Sequence, residues 1–149
     1  MQKCTLALGC FWKPEDNFKS KSGILKTEVG YAGGSSAKTT YEEVCTGNTG
    51  HAEVVRLTFD ENKISFKKIL DLFFKMHDPT QKDMQFPDVG TQYRSEIFCE
   101  TEKQKQEASK ILNEFNKKLH GKIQTNISLI NNYCKAEEYH QKYIEKNRK

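Results

Sequence analysis

The sequence predicts a layered α/β or α+β domain, in which strands and helices pack around one core. Two patterns carry this reading: five short runs rich in apolar and β-branched residues, and two longer segments with helical apolar spacing that fall among them. A chain of 149 residues can bury one substantial core. No internal repeat and no shift in composition divides it, so a single domain over residues 1–149 is expected.

The first strand is expected over residues 3–8, where Cys4-Thr5-Leu6-Ala7-Leu8 forms an apolar run. Gly9-Cys10-Phe11-Trp12 follows, and Lys13-Pro14-Glu15-Asp16 reads as a helix start. Pro14 presets the helical φ and lacks only an N–H that the first turn leaves unpaired, while Glu15 and Asp16 suit the positive end of the helix dipole. Further strands are expected over residues 24–31 and 52–59. The next helix spans 65–77, with Phe66, Ile69, Leu70 and Phe73 in one stripe and Asp78-Pro79 as the stop. A strand over 95–99 precedes a second helix over 102–119. There Thr101 and Gln104 stand at capping-box spacing, Ala108, Ile111, Leu112, Phe115 and Leu119 form the stripe, and Gly121 closes the end. The last strand is expected over 123–130. Residues 32–50 and 78–93 show no regular pattern, and loops that long inside a compact domain tend to carry function.

Composition excludes several classes. The net charge is +4, but the cations are nearly all Lys, spread among acids, with Arg only at positions 56, 94 and 148. The clearest basic excess is Lys146-Asn147-Arg148-Lys149, too short for a nucleic-acid surface, and none is expected. Apolar stretches are short and interrupted and no export signal precedes them, so the expectation is no membrane span and a cytoplasmic location. Five dispersed cysteines, at 4, 10, 45, 99 and 134, include no Cys-x-x-Cys pair. That argues against a disulfide scaffold and against structural zinc.

Cys10 is the residue that points to chemistry. A thiol at a strand-to-helix turn faces backbone N–H groups that favour negative charge, which would lower its pKa and make it a nucleophile, although Glu15 and Asp16 temper that effect. Phe11 and Trp12 beside it would wall a small apolar pocket. The alternative for the same pattern is a buried small hydrophobe next to two core aromatics. His51 and His140 raise a cysteine-hydrolase reading and the net charge raises a basic binding module; both histidines are read as structural.

Five motifs in order then carry a family resemblance across nearly the whole chain. They are Gly9-Cys10-Phe11-Trp12-x-x-Glu15; Thr27-Glu28-Val29-Gly30-Tyr31-Ala32-Gly33-Gly34; Tyr41-x-x-Val44-Cys45-x-Gly47-x-Thr49-Gly50-His51-Ala52-Glu53; Asp88-Val89-Gly90-Thr91-Gln92-Tyr93-Arg94-Ser95; and Ala136-Glu137-x-Tyr139-His140-Gln141. The sequence resembles the peptide methionine sulfoxide reductases of the A type. The resemblance implies an α+β sandwich with a ferredoxin-like core. It implies thiol-dependent reduction of methionine-S-sulfoxide, free or in proteins, with no metal and no bound cofactor. Cys10 matches the nucleophile, Glu53 the proton donor, and Phe11 and Trp12 the pocket for the substrate methyl group. Tyr41 and Tyr93 match the tyrosines that hydrogen-bond the sulfoxide oxygen, and Asp88 the acid that supports the site.

A sulfoxide sulfur is a poor electrophile until its oxygen is protonated, so an acid and hydroxyl donors facing a thiol make chemical sense. Burial would keep Glu53 protonated. Attack by Cys10 would leave a sulfenic acid on its sulfur. The family often resolves that species with a cysteine in a Gly-rich C-terminal extension, which this sequence lacks after Tyr143. Cys134 is the leading substitute, an external thiol the equal alternative, and Cys45 a weaker one; thioredoxin, or glutathione with glutaredoxin, is the expected reductant. Cys4 and Cys99 are expected in the core. Lys13, where the family more often has Gly, is expected to point into water.

Overall fold

The computed structural model describes residues 1–147. In chain order the elements are β1 (Gln2–Leu8), α1 (Trp12–Lys19), β2 (Ile24–Ala32), α2 (Tyr41–Cys45), β3 (Ala52–Phe59), α3 (Phe66–Met76), β4 (Met84–Gln85), β5 (Asp88–Val89), β6 (Ser95–Cys99), α4 (Glu102–Lys118), β7 (Asn126–Leu129), β8 (Cys134–Lys135) and α5 (Tyr143–Lys146). Single 3-10 turns occur at Thr91–Tyr93 and Glu138–His140. Among the described residues no helix is long and apolar enough to cross a membrane. Arg148 and Lys149 of the basic tail lie outside them.

Six strands form one sheet in the order β7-β6-β1-β3-β2-β8, and β4 with β5 makes a separate small hairpin. Every pairing in the large sheet is antiparallel except β6 with β7. The inner order β6-β1-β3-β2, with crossovers through α1 and α3, is the split β-α-β arrangement of a ferredoxin-like core. The fold is therefore α+β, with a mixed sheet packed against helices.

Side-chain alternation along the strands decides the two faces. From β1, Cys4, Leu6 and Leu8 join Val55, Leu57 and Ile97 in the larger core beneath the helices. Ala7 points the other way, onto Val54 and Phe98. α3 meets the larger core with Phe66, Ile69, Leu70, Phe73 and Phe74, and its Ser65 cap accepts from the Lys68 N–H at 3.0 Å. Cys4 and Cys99 are fully buried.

The strands over 52–59 and 95–99 and both long helices fall where the pattern placed them; four details differ. Thr101 Oγ1 accepts from the Gln104 N–H at 3.1 Å, but the reciprocal half of the capping box is not made. Gln104 is buried against the sheet, where its amide accepts from the Glu100 N–H at 2.9 Å and donates to the Lys3 carbonyl at 3.0 Å. The strand expected over 123–130 is shorter because its approach is held as a loop. There the Ile123 N–H donates to Asn116 Oδ1 at 3.1 Å and the Gln124 N–H to the Pro79 carbonyl at 2.7 Å. Residues 32–50 contain the five-residue α2, capped by Thr40, and residues 78–93 contain the β4–β5 hairpin. Elements this short leave too few residues for a period to show.

The last described segment is strapped across the end of the sheet by buried polar groups. Gln141 donates to the carbonyls of Val29 and Ala136 and accepts from the Val29 N–H, all at 2.9 Å. The buried Glu15 carboxylate accepts from Thr27 Oγ1 at 2.8 Å and from the Lys142 N–H at 2.6 Å. Replacing Gln141 by Leu removes three buried hydrogen bonds and leaves the Val29 N–H and the Ala136 carbonyl without this partner, while the Val29 carbonyl keeps the Ala136 N–H at 3.0 Å; a loss of about 2–4 kcal/mol is expected. Urea unfolding with an unchanged midpoint would show that the strap contributes nothing to stability.

Candidate active site

Cys10 stands where β1 turns into α1. Gly9 makes this turn at φ +99°, a conformation L side chains rarely adopt, and the helix begins two residues after the thiol. Burial pushes the Cys10 thiol up to about 11; the Trp12 N–H draws it down, and the charges of Glu53 and Asp88 raise it further. The lowered pKa expected from the helix N-terminus is thus reversed. One N–H dipole does not offset desolvation with two carboxyl groups close by.

Glu53 is the second residue of β3 and sits opposite Tyr31 of β2. It is 1% exposed. Its Oε1 accepts from the Phe11 N–H at 3.3 Å, while its buried Oε2 has no partner among the described residues. Desolvation raises its pKa to about 8, opposed by the Phe11 N–H and reinforced by Asp88. At neutral pH the carboxyl therefore holds a proton, with one oxygen anchored and the other available.

The loops bring the remaining candidates to the same place. Tyr93 ends the 3-10 turn after β5; burial resists its ionisation first, then the charges of Glu53, Cys45, Asp88 and Cys10. Tyr41 opens α2; burial raises its pKa, followed by the Cys45 thiol one helical turn on and by Glu53 and Tyr93. Asp88 opens β5 in the hairpin and acts on Cys10, Glu53 and Tyr93. Cys10, Tyr41, Glu53, Asp88 and Tyr93 thus form one electrostatic unit drawn from separate parts of the chain.

Sequence reasoning missed the groups that hold the aromatic wall. Trp12 Nε1–H donates to His140 Nδ1 at 3.0 Å, and the indole stacks on Tyr143 at 3.9 Å between centroids. The buried His140 ring also packs 5.2 Å from Phe11 and 4.4 Å from Tyr41. Glu137 accepts from the Tyr31 hydroxyl at 2.8 Å and from the Tyr41 N–H at 2.9 Å. Glu137 and His140 lie in the motif around residues 136–141, which was the available signal; only tertiary contact gives them these partners.

The histidines have structural posts. His140 is engaged with Trp12, and burial lowers its pKa. His51 Nε2–H donates to the Ser36 carbonyl at 2.7 Å, under Gly34, where any Cβ would collide with the imidazole ring. The other cysteines differ in setting. Cys45 is exposed at the end of α2, whereas Cys134 is half-buried in β8 with its thiol directed at the Thr39 carbonyl, 3.6 Å away. Of these two, Cys45 is the one that figures among the charges acting on Cys10.

Comparisons with known proteins bear on the family and the fold. A family model described as "Peptide methionine sulfoxide reductase" matches residues 2–149. Peptide methionine sulfoxide reductase MsrA of Pelagibacter ubique is 56% identical over 146 residues, covering 98% of this chain and 99% of that protein. Mxr1 from Saccharomyces cerevisiae in its reduced form superposes with a TM-score of 0.94 at 40% identity, over 98% of this chain and 85% of that one. The same yeast protein in complex with Trx2 gives a TM-score of 0.66 at 28% identity, over 95% and 84% of the two chains.

The raised Glu53 pKa fixes a pH dependence of stability. The folded carboxyl keeps its proton up to about 8, whereas an ordinary Glu loses it near 4.5, so the native state binds the extra proton between these values. The contribution is complete below about 4.5, declines as pH rises through the window and is lost above about 8. Relative to wild type, Glu53→Gln should therefore gain stability progressively from about pH 5 to about pH 9. Thermal unfolding across that range checks this, and a constant difference between the two proteins would assign Glu53 an ordinary pKa.

Proposed function

The chain belongs to the peptide methionine sulfoxide reductase family and is an oxidoreductase that reduces methionine sulfoxide; we propose that it does so through attack by Cys10 with Glu53 as proton donor. The observation that carries this reading is the buried, protonated Glu53 beside the Cys10 turn, with Oε2 unpartnered.

In the proposed sequence the substrate methyl group packs against Phe11 and Trp12, and the sulfoxide oxygen accepts from Glu53, Tyr41 and Tyr93. The Cys10 sulfur bonds to the substrate sulfur as Glu53 passes its proton to the oxygen, and the proton released by the thiol restores the carboxylic acid. The hydroxyl then passes to the Cys10 sulfur while the sulfur–sulfur bond breaks, its electron pair staying on methionine. The products are a thioether and a sulfenic acid, with no net proton gained or lost. Asp88 keeps negative charge near Glu53 and so favours its protonated form. We read the substrate as the S epimer, free or in proteins, within one domain spanning residues 1–149 and in the cytoplasm.

Resolution needs a thiol that attacks the sulfenic sulfur, forms a disulfide and releases water. Cys134 or an external thiol is one reading. Cys45 is a second, favoured by lying near enough to Cys10 and Tyr41 to act electrostatically on both. A thioredoxin-type dithiol, or glutathione with glutaredoxin, would then reduce the disulfide. The yeast relative solved with Trx2 supports the former.

Mixing reduced protein with excess methionine-S-sulfoxide and no reductant should yield about one methionine per chain, and none from Cys10→Ser. Glu53→Gln should keep the fold and lower turnover by about 10²–10⁴-fold, the usual worth of a positioned acid. Undiminished turnover in that variant would remove Glu53 from proton transfer. Thiol counting after the single turnover separates the resolving routes. Two thiols lost means an internal resolver, and the variant among Cys45→Ser and Cys134→Ser that loses only one identifies it.

A further inference from the structure

A cleft of about 350 Å³ opens beside Cys10, between the start of α1 and the β4–β5 hairpin, with Lys13, Asn17, Gln85, Phe86 and Asp88 among its walls. Ligand sites run from roughly 300 to 1,000 Å³, so the space exceeds what a methyl sulfoxide group fills. The Phe86 side of this cleft is open: that residue is 77% exposed.

Charge is unevenly distributed around the cleft. Lys13 is exposed, and among the described residues no carboxylate forms an ion pair with it. The nearby acids are committed elsewhere. Glu15 turns inward to Thr27 and the Lys142 N–H, and Asp16 lies 3.6 Å from Lys19. Asp88, in the same cleft, acts on Cys10 and Glu53. An anion entering here is repelled from the Asp88 side and drawn to Lys13.

Building on the reductase reading, we propose that Lys13 makes this cleft a carboxylate subsite, selecting methionine sulfoxide that carries a carboxylate close to the sulfoxide. Two sources fit the chemistry: the α-carboxylate of free or C-terminal methionine sulfoxide, and an acidic side chain next to it in a polypeptide. The open Phe86 ring gives the intervening chain an apolar shelf.

Four substrates, assayed with wild type and Lys13→Gln, test this. N-acetyl-methionine-S-sulfoxide is compared with its carboxamide, and an N-acetyl Met(O)-Glu amide with the matching Met(O)-Gln amide. Wild type should prefer the carboxylate member of at least one pair by about 1.5- to 5-fold in kcat/KM, the range for an exposed ion pair. The preference should lie in KM, because the contact is the same in ground and transition states, and should shrink with added salt. Lys13→Gln should turn over the carboxamide as wild type does and lose the preference. A preference in the first pair alone assigns the α-carboxylate, and in the second alone the neighbouring side chain. Turnover by wild type without preference in either pair overturns the subsite alone, as does a preference that survives in Lys13→Gln. No turnover of any substrate by wild type overturns the reductase reading and the subsite with it.

Discussion

The hydrogen bond from the Phe11 N–H to Glu53 Oε1 joins the two halves of the site. It ties the turn after β1 to the second residue of β3, and so fixes a carboxyl group next to a thiol inside a largely dehydrated corner. One donor is too few to hold the carboxylate ionised at this depth, so desolvation and Asp88 prevail and the proton stays on. The rest of the site follows from that balance. A second buried donor on Oε2 would lower the pKa and occupy the oxygen that the proposed reaction needs free.

The same electrostatics bears on the thiol. A Cys10 raised to about 11 is protonated at neutral pH, so the thiol and the Glu53 carboxyl each hold a proton. On the proposed path this is consistent: the carboxyl proton goes to oxygen and the thiol proton replaces it. The charge on Glu53 that would oppose thiolate formation is absent while the carboxyl is protonated. On that path reactivity is coupled to an oxygen that takes the carboxyl proton, and a thiol that keeps its own proton is less readily oxidised.

The aromatic residues after Cys10 are held by the strap that residues 137–143 form. Gln141 fastens the segment to the β2 backbone, Glu137 engages Tyr31 and Tyr41, and His140 with Tyr143 clamps Trp12. Trp12, Tyr31 and Tyr41 therefore take their positions from residues more than 90 positions away in the chain. Precise placement of donors around a small polar group is what such second supports provide.

Local pattern was enough to determine a layered domain of strands and helices, the central strands, the long helices and the buried Cys4 and Cys99, because burial on one face imprints a period of two or 3.6 on neighbouring residues; the choice of α+β over α/β came from the motifs. The candidate site was legible through five motifs, not through any single residue: Glu53 at the head of a strand and Tyr41 in a Gly- and Thr-rich loop carry no local mark of what they face. Tertiary structure alone decided that Cys10 is raised instead of lowered, since a pKa depends on burial and on charges from β3 and β5 that are distant in sequence. It also decided the partners of Gln104, Glu137 and His140, and the cleft in which Lys13 stands. Hydrogen bonds and charges act through space between segments that the chain order keeps apart, so no window along the sequence contains them.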